Sequence, residues 1–334
     1  TLHAGYLDDV GYTKLSNELG ASTPDGTGII VSQVEAFEKN TGNYVPNSTD
    51  SQFSGKTITA RSRHSAVSSH ATTVGKYLYG NSHMASGIAT IDSWSAGDQG
   101  ELEYDDFLDS LNTTSSAGGT GSAPDPKTMQ TSDDTTVHIQ NHKWGGDYST
   151  QGANDDAIRR FDYLLDTYNV LATVGVNNGT SSGGENALMS ASYNAIAVGV
   201  SDGSHYYGDT AGDEAGRMKP EIVAPQNFTS YSTPIVGAAA AMLIDKANST
   251  AGLSNATNTE AVKALLLGGA TKEEFSGWSN TSTRPLDDRY GAGELNIYNS
   301  YHMLVGGESD ASTSTDIGSN RGWDYGSASD TQEQ

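Results

Sequence analysis

The amino-acid sequence predicts an α/β fold, a three-layer sandwich in which helices flank a mostly parallel central sheet. Short apolar runs without polar alternation recur along the chain, as in strands that are buried on both faces. Segments with helical spacing lie between these runs, and this alternation favours parallel strand pairing. The composition, with 35% hydrophobic residues and 39 glycines among 334 residues, is typical of a globular protein.

Four runs rich in valine, isoleucine and alanine are predicted strands. They read GIIVSQV at 28–34, TVHIQ at 136–140, VLATVGV at 170–176 and AIAVGV at 195–200. Each run leads into polar residues or glycine, so a loop is expected at the carboxyl end of each strand.

Four further segments have the spacing of amphipathic or buried helices. They are 68–80, 154–169, 230–246 and 257–269. The third contains the longest apolar run of the chain, at 236–244. This run is far shorter than the roughly 20 residues that a membrane-spanning helix needs, so no membrane association is expected.

The domain organisation follows from changes in composition. Residues 1–304 are predicted to form one domain, and residues 305–334 an acidic, Gly/Ser-rich C-terminal tail. A stretch rich in Ser, Thr, Gly and Asp at 110–135 is predicted to be a surface loop within the domain.

The charge and cysteine content exclude several classes of function. The formal net charge of −23 repels phosphate backbones, so nucleic acid is not an expected partner. Because the chain has no cysteine, it has no disulfide, thiolate metal site or cysteine nucleophile. The chain begins at Thr1 without a basic start or an apolar signal core. The acidity suits a secreted or salt-adapted protein, and with this N-terminus it predicts a secreted mature form from which the signal and any propeptide are absent. A monomer is also expected.

Polar residues beyond the apolar runs and at the starts of predicted helices are the candidates for a functional site. Ligands of open parallel sheets bind beyond the carboxyl ends of the strands, so these side chains are expected to converge. They are Glu35, His70, Trp144, Gly145, Gly146, Asn177 and Ser230. A carboxylate, a histidine, a serine and an amide donor are the groups required for acyl transfer through a covalent serine intermediate.

Three motifs resemble those of subtilisin-type (subtilase) serine peptidases. TSYSTPIVGAAAAML at 229–243 resembles the Gly-Thr-Ser-x-Ala-x-Pro nucleophile helix of that family and places the nucleophile at Ser230, four residues before Pro234. HATTVGKYLYG, which begins at His70, resembles the segment His-Gly-Thr-His-Val-Ala-Gly. VGVNNGT, which contains Asn177, resembles the segment Ala-Gly-Asn-x-Gly.

Two further segments extend the resemblance to most of the chain, from about residue 25 to residue 303. KPEIVAP at 219–225 is similar to the loop before the nucleophile helix, and YGAGELNIYNSY at 290–301 to the last helix of the family domain. The order carboxylate, histidine, serine along the chain is also the subtilisin order.

The resemblance implies a serine endopeptidase that acts on proteins or peptides without a cofactor. Glu35, His70 and Ser230 would form the triad, and Asn177 would bind the oxyanion together with the Ser230 backbone N–H. The substrate-binding residues that it implies are Trp144, Gly145, Gly146 and Gly175.

Some positions depart from the family pattern. Glu35 stands where the family has aspartate, so the carboxylate is one methylene longer. Phe228 replaces a glycine, Ala71 a glycine and Thr73 a second histidine, while Trp144 replaces a leucine in the substrate-binding segment.

Two other functions fit parts of the same pattern. A sedolisin-like serine-carboxyl peptidase has a similar nucleophile segment, but its acidic residues would stand at His70 and Asn177. A binding or scaffold protein with the subtilase fold and a weakened triad would be compatible with Glu35 and Phe228. Separately, the acidic segments 101–106 and 209–214 could hold calcium through oxygen ligands, although solvated acidic loops are the commoner outcome.

Overall fold

A computed structural model of the chain describes residues 5–36, 41–62, 65–96, 107, 137–146, 151–182, 188–209, 218–309 and 322–326. Its main feature is a seven-stranded sheet with the strand order β12-β9-β7-β6-β1-β5-β3. All the strand pairings in this sheet are parallel. The described strands are β1 (Ile30–Glu35), β2 (Asn43–Val45), β3 (Thr57–Ala60), β4 (Ala66–Val67), β5 (Thr90–Ser95), β6 (Ile139–Lys143), β7 (Leu171–Gly175), β8 (Ser181–Ser182), β9 (Ile196–Val200), β10 (Tyr206–Asp209), β11 (Met218–Lys219) and β12 (Ile222–Ala224).

Helices cover both faces of this sheet. Two of them position the site and are named here: the histidine helix (Ser69–Tyr79) and the serine helix (Thr229–Asn248). The other α-helices in the described ranges are Tyr6–Asp9, Tyr12–Leu19, Gln151–Tyr168, Thr259–Gly269 and Ile297–Val305. The predicted α/β sandwich with a mostly parallel sheet is therefore confirmed.

The larger hydrophobic core lies between one face of the sheet and the serine helix. Val31 and Ile139 on neighbouring strands share this core with Leu78 of the histidine helix and Ile235 of the serine helix, and all four are fully buried. The serine helix is buried on nearly every side and carries four consecutive alanines, a strong helix-forming composition. At Gly237 an added Cβ would lie 3.0 Å from Leu78 Cδ1, so the absence of a side chain allows close packing of the two helices.

The opposite face of the sheet packs against the Gln151–Tyr168 helix. Val34 of β1 and Val174 of β7 point to this side and meet Phe161 and Leu165 of that helix. Successive residues of a strand point to opposite faces, so Glu35, the neighbour of Val34, points back toward the serine and histidine helices.

In the seven-stranded sheet, the sequence prediction misplaced one strand and missed three. The run predicted at 136–140 forms a strand only from Ile139, and β6 continues to Lys143 through polar residues that look like a loop in the sequence. The strands β3, β5 and β12 were not predicted: β3 and β5 are rich in serine and threonine, and β12 has only three residues. Burial of polar side chains next to the site explains why the apolar pattern failed at β5 and β6.

The boundary between domain and tail that the sequence suggests, after residue 304, stays a prediction. The last described helix ends at Val305, and of the predicted tail the structure describes 305–309 and 322–326, where Glu308 and Trp323 form an isolated bridge. The loop predicted at 110–135 lies outside the described residues. In the described ranges, the helices are too short or too polar to cross a membrane.

Candidate active site

The carboxyl edge of the central strands carries two rows of residues beneath the serine helix. In the outer row, Glu35 of β1 is in register with Lys143 of β6. In the inner row, Gln33, Asn141 and Thr173 stand side by side on β1, β6 and β7. All five side chains belong to buried residues, so the sheet presents a polar patch to the helices at this edge. Buried polar groups require partners, and the contacts of this patch define the site.

Glu35 pairs with His70 across this edge. Its Oε2 lies 2.9 Å from His70 Nδ1, and the side chain of Glu35 is 1% exposed while that of His70 is 39% exposed. A carboxylate accepts hydrogen bonds, so Nδ1 donates and Nε2 is left with a lone pair. The arrangement therefore fixes the orientation of an accessible imidazole with a buried acid.

The buried side-chain amide of Gln33 holds the other oxygen of the Glu35 carboxylate. Gln33 Nε2 donates to Glu35 Oε1 at 2.8 Å and to the Ala71 carbonyl at 2.9 Å. Tyr79, at the end of the histidine helix, donates its hydroxyl to Gln33 Oε1 at 2.7 Å. Burial, reinforced by the charge of Glu35, raises the pKa of Tyr79, so its hydroxyl keeps the proton that it donates. Both Glu35 oxygens are thus engaged.

His70 reaches this position because the histidine helix begins just before it. Ser68 is the N-cap, and its hydroxyl accepts a hydrogen bond from the Ala71 N–H at 3.1 Å. Such a cap stabilises a helix start by typically about 1 kcal/mol. His70 is the second residue of the helix, where its side chain is accessible from the carboxyl edge of the sheet.

Ser230 is the second residue of the serine helix and is 8% exposed. The helix begins close to His70, since the imidazole and the ring of Tyr231 have centroids 5.9 Å apart. Among the described residues, no direct hydrogen bond joins Ser230 and His70. Catalytic hydrogen bonds are often long in unliganded enzymes and shorten when substrate binds, so the lack of this bond is compatible with a nucleophile and its base.

Two neighbouring asparagines lie near the start of the serine helix. Asn178 Oδ1 accepts hydrogen bonds from the Thr229 N–H at 2.9 Å and from the Thr229 hydroxyl at 3.1 Å. Asn177, which the sequence prediction selects, lies beside Gly145, where an added Cβ would stand 3.0 Å from its Oδ1. The structure thus brings Asn178 to the residue before Ser230, and the role of Asn177 stays a prediction.

The predicted substrate-binding segment follows β6 directly. Gly145 and Gly146 are exposed, whereas Trp144 is 6% exposed and packs in the second core. Trp144 Nε1 donates to His142 Nδ1 at 3.2 Å, and burial lowers the pKa of His142 to about 3, which keeps that ring neutral. The two glycines therefore form the open edge, and substrate binding by this segment stays a prediction.

Gly175 is buried beneath the serine helix. A Cβ at this position would lie 2.9 Å from Thr233 Oγ1 and 3.1 Å from Lys143 Nζ. Its missing side chain makes room for these two groups, and its predicted contact with substrate remains untested.

In the part of the chain that the structure describes, no cluster of three or more histidine, aspartate and glutamate side chains is placed to hold a metal ion. The acidic segments predicted as calcium ligands, 101–106 and 209–214, lie outside the described residues apart from the backbone of Asp209.

Sequence reasoning missed the groups that support the candidate site. They are Gln33, Tyr79, Lys143, Asn178 and Thr229. A signal was present for the first, because Gln33 stands two residues before Glu35 in an apolar strand and so points to the same face. The burial of Lys143 carries no comparable signal, since lysine is rarely buried.

No protein-family model matches the chain, and no curated protein matches it in sequence. Solved structures do match. The prenylagaramide maturation protease PagA aligns with a TM-score of 0.57 and 19% identity over 87% of this chain and 97% of PagA. A lanthipeptide protease aligns with a TM-score of 0.58 and 13% identity over 90% of this chain and 93% of its own. A protease from Pseudoalteromonas arctica aligns with a TM-score of 0.55 and 13% identity over 89% of this chain and 97% of its own.

At these identities the comparisons concern the fold. The chain shares the α/β architecture of these proteases over nearly their whole lengths, which confirms the subtilisin-like fold predicted from the sequence.

Proposed function

We propose that the protein is a serine endopeptidase that hydrolyses peptide bonds through an acyl-enzyme on Ser230. His70 is the general base and acid, and Glu35 takes the place of the aspartate of a catalytic triad. The substrate is a protein or peptide, and we propose a secreted, monomeric enzyme that needs no cofactor for this chemistry.

The observation that carries the proposal is the contact between Glu35 Oε2 and His70 Nδ1 at 2.9 Å. It joins a buried acid to an accessible imidazole at the carboxyl edge of a parallel sheet, beside a helix whose second residue is a serine. An acid on Nδ1 sets the tautomer in which Nε2 accepts a proton, as triad chemistry requires.

The proposed reaction proceeds in two halves. The Ser230 hydroxyl attacks the substrate carbonyl carbon while His70 Nε2 removes the hydroxyl proton, and the carbonyl oxygen becomes an oxyanion. When the tetrahedral species collapses, the C–N bond breaks and His70 protonates the leaving amine. Water then attacks the acyl-enzyme with His70 again as base, which releases the acid product and restores Ser230.

Backbone and amide donors beside Ser230 would stabilise the oxyanion. The first N–H groups of a helix have no partner within the helix, and the helix dipole favours negative charge there. The Ser230 N–H occupies this position. The side-chain donor is one of the two adjacent asparagines, Asn177 or Asn178.

The comparisons support the proposal through the fold. The three aligned structures named above are proteases by name, one of them a prenylagaramide maturation protease and another a lanthipeptide protease.

Labelling with a fluorophosphonate tests the proposal. The reagent should add one phosphonyl group per chain, located on Ser230 by peptide mass spectrometry, and the labelled protein should no longer cleave casein. Ser230→Ala should abolish both labelling and cleavage with the circular dichroism spectrum unchanged.

Ser232→Ala is the matched control, because Ser232 lies two residues further along the same helix and is fully buried. This variant should be labelled like the parent. A folded parent protein that neither reacts nor cleaves would contradict the proposal and favour the binding or scaffold alternative. Labelling that persists in Ser230→Ala would place the nucleophile elsewhere.

A further inference from the structure

A buried lysine lies directly beneath the candidate active site. Lys143 is the last residue of β6, is 8% exposed, and stands in register with Glu35 on the neighbouring strand. Burying a lysine is costly unless its ammonium group has partners, so a position that keeps one calls for an explanation.

The Lys143 ammonium begins a chain of hydrogen bonds that leads to the start of the serine helix. Its Nζ donates to Thr229 Oγ1 at 3.1 Å, and Thr229 Oγ1 donates to Asn178 Oδ1, also at 3.1 Å. An ammonium group can only donate, so it sets the direction of the threonine hydroxyl. The hydroxyl proton is thereby directed to Asn178.

The amide of Asn178 is oriented by these bonds. The Thr229 N–H and hydroxyl both bind its Oδ1, so Nδ2 is the end left to donate. Among the residues that the structure describes, Nδ2 has no acceptor. The next backbone N–H along the helix is that of Ser230, one residue beyond the Thr229 that binds Asn178.

The lack of a side chain at Gly175 provides the space that Lys143 Nζ occupies. Gly175 on β7 is buried, and a Cβ there would stand 3.1 Å from Lys143 Nζ and 2.9 Å from Thr233 Oγ1. The glycine therefore leaves a place for the ammonium below Thr229.

The charge of Lys143 is sensitive to pH near neutrality. Burial lowers its pKa to about 8, and the negative charge of Glu35 on β1 opposes that shift. From the histidine helix, His70 faces the same carboxylate. The serine helix and β7 present threonines and a glycine to Nζ, and these do not titrate.

We propose that Lys143 is a positioning residue for the reaction proposed above, in which its ammonium group orients Thr229 and, through Thr229, the Asn178 amide that donates to the oxyanion. The inference rests on the proposed peptidase function. It adds a charged group that supports the oxyanion site: the Lys143 ammonium acts through the Thr229 hydroxyl and does not touch the substrate.

Three substitutions test this chain of contacts. Lys143→Met keeps approximately the length of the side chain without its charge and should lower kcat about 10- to 100-fold with KM nearly unchanged, because a misplacement of about 1 Å in a catalytic site can cost about 10²-fold. Thr229→Val keeps the shape without the hydroxyl and should cause a similar loss, whereas Thr229→Ser should retain activity. The double variant Lys143→Met, Thr229→Val should lose no more than the worse single variant, because both changes break the same chain.

The pH profile separates positioning from a merely structural role. The ammonium is the form that orients Thr229, so kcat of the parent should fall as pH rises through the pKa of Lys143 at about 8. Lys143→Met should lack this alkaline decline. Lys56→Met is the matched control, since burial also lowers the pKa of Lys56, whose Nζ binds the Ser86 and Ile88 carbonyls instead, and this variant should keep the parent profile.

The outcomes distinguish this inference from the proposed function. A parent protein that neither reacts with fluorophosphonate nor cleaves removes the proposed function. A parent that reacts and cleaves, with Lys143→Met retaining its kcat and pH profile, overturns the role of Lys143 alone. If Lys143→Met does not fold, Thr229→Val decides, because it leaves the lysine in place: unchanged kcat and an unchanged alkaline decline in that variant overturn the inference.

Discussion

Glu35 contacts His70 across 2.9 Å although the two residues lie 35 positions apart, one at the end of the central strand and one at the start of a helix. The contact uses a side chain one methylene longer than aspartate. Its second oxygen is held by Gln33 at 2.8 Å, so the longer arm is fixed at both oxygens.

Glu35→Gln should keep the fold and lower kcat/KM steeply. An amide can present its NH₂ group to Nδ1 and favour the wrong tautomer, and an amide in place of the acid of a triad lowers kcat by about 10⁴. Glu35→Asp should not restore activity, because the arm is shorter by about 1.5 Å, one carbon–carbon bond. The measurement is kcat/KM against pH for the three proteins; parent-like profiles for both variants would mean that Glu35 does not orient His70.

Tyr79→Phe should weaken the support of Glu35. It removes the hydroxyl that donates to Gln33 Oε1 at 2.7 Å and leaves a buried acceptor unpaired, which costs about 1–3 kcal/mol of unfolding free energy. We expect a lower midpoint in urea and a several-fold decrease in kcat. Tyr77→Phe is the control, because the Tyr77 hydroxyl faces Gln226 at 3.4 Å and has no contact with Gln33. Equal kcat values for Tyr79→Phe and Tyr77→Phe would mean that Tyr79 does not support the proposed triad.

Gly75→Ala should disturb the same support from a distance. An added Cβ would lie 2.7 Å from Tyr79 Cζ and would displace the ring from Gln33. Overpacking of this kind costs about 1–3 kcal/mol. The midpoint temperature of thermal unfolding and kcat should both decrease. Gly152→Ala is the control, because it lies in a helix with no atom within 4 Å of the added Cβ, and it should change neither quantity by much. A Gly75→Ala protein with parent stability and kcat would contradict the contact.

Asn178→Ala should lower kcat about 10²- to 10³-fold with little change in KM, the expected loss for one oxyanion donor. The sequence motif assigns this role to Asn177, whereas the contacts of Thr229 favour Asn178. Steady-state kinetics of both alanine variants decide between them. If only Asn177→Ala loses kcat, the motif assignment is supported. The hydrogen bonds from Lys143 through Thr229 would then end at a residue, Asn178, that does not bind the oxyanion.

The strands and helices that pack the interior could be predicted because their pattern is apolar. The sequence indicated β1, β7, β9 and the serine helix nearly at their observed bounds. It failed at β5 and at the end of β6, where Asp92, Ser93, Asn141 and Lys143 are buried. Burial of such side chains depends on partners from distant segments, which hydrophobic periodicity cannot reveal.

The candidate site was predictable to the extent that each residue has a local motif. His70 and Ser230 open helices with recognisable neighbours, and Glu35 ends an apolar strand. The groups that support them have no motif of their own. Tyr79 and Gln33 meet only after the sheet and the histidine helix have packed, so their roles required the structure.

The order of the strands has a consequence for how the chain acquires activity. The central strand β1 pairs with β5 and β6, so Val31 must find Ile91 on one side and Ile139 on the other. Closing such long loops makes a parallel sheet slow to fold, because the entropy is lost before the contacts form. Glu35, Lys143 and Ser230 come together only when these steps are complete. The proposed enzyme would therefore be inert until the last of these strands is in place.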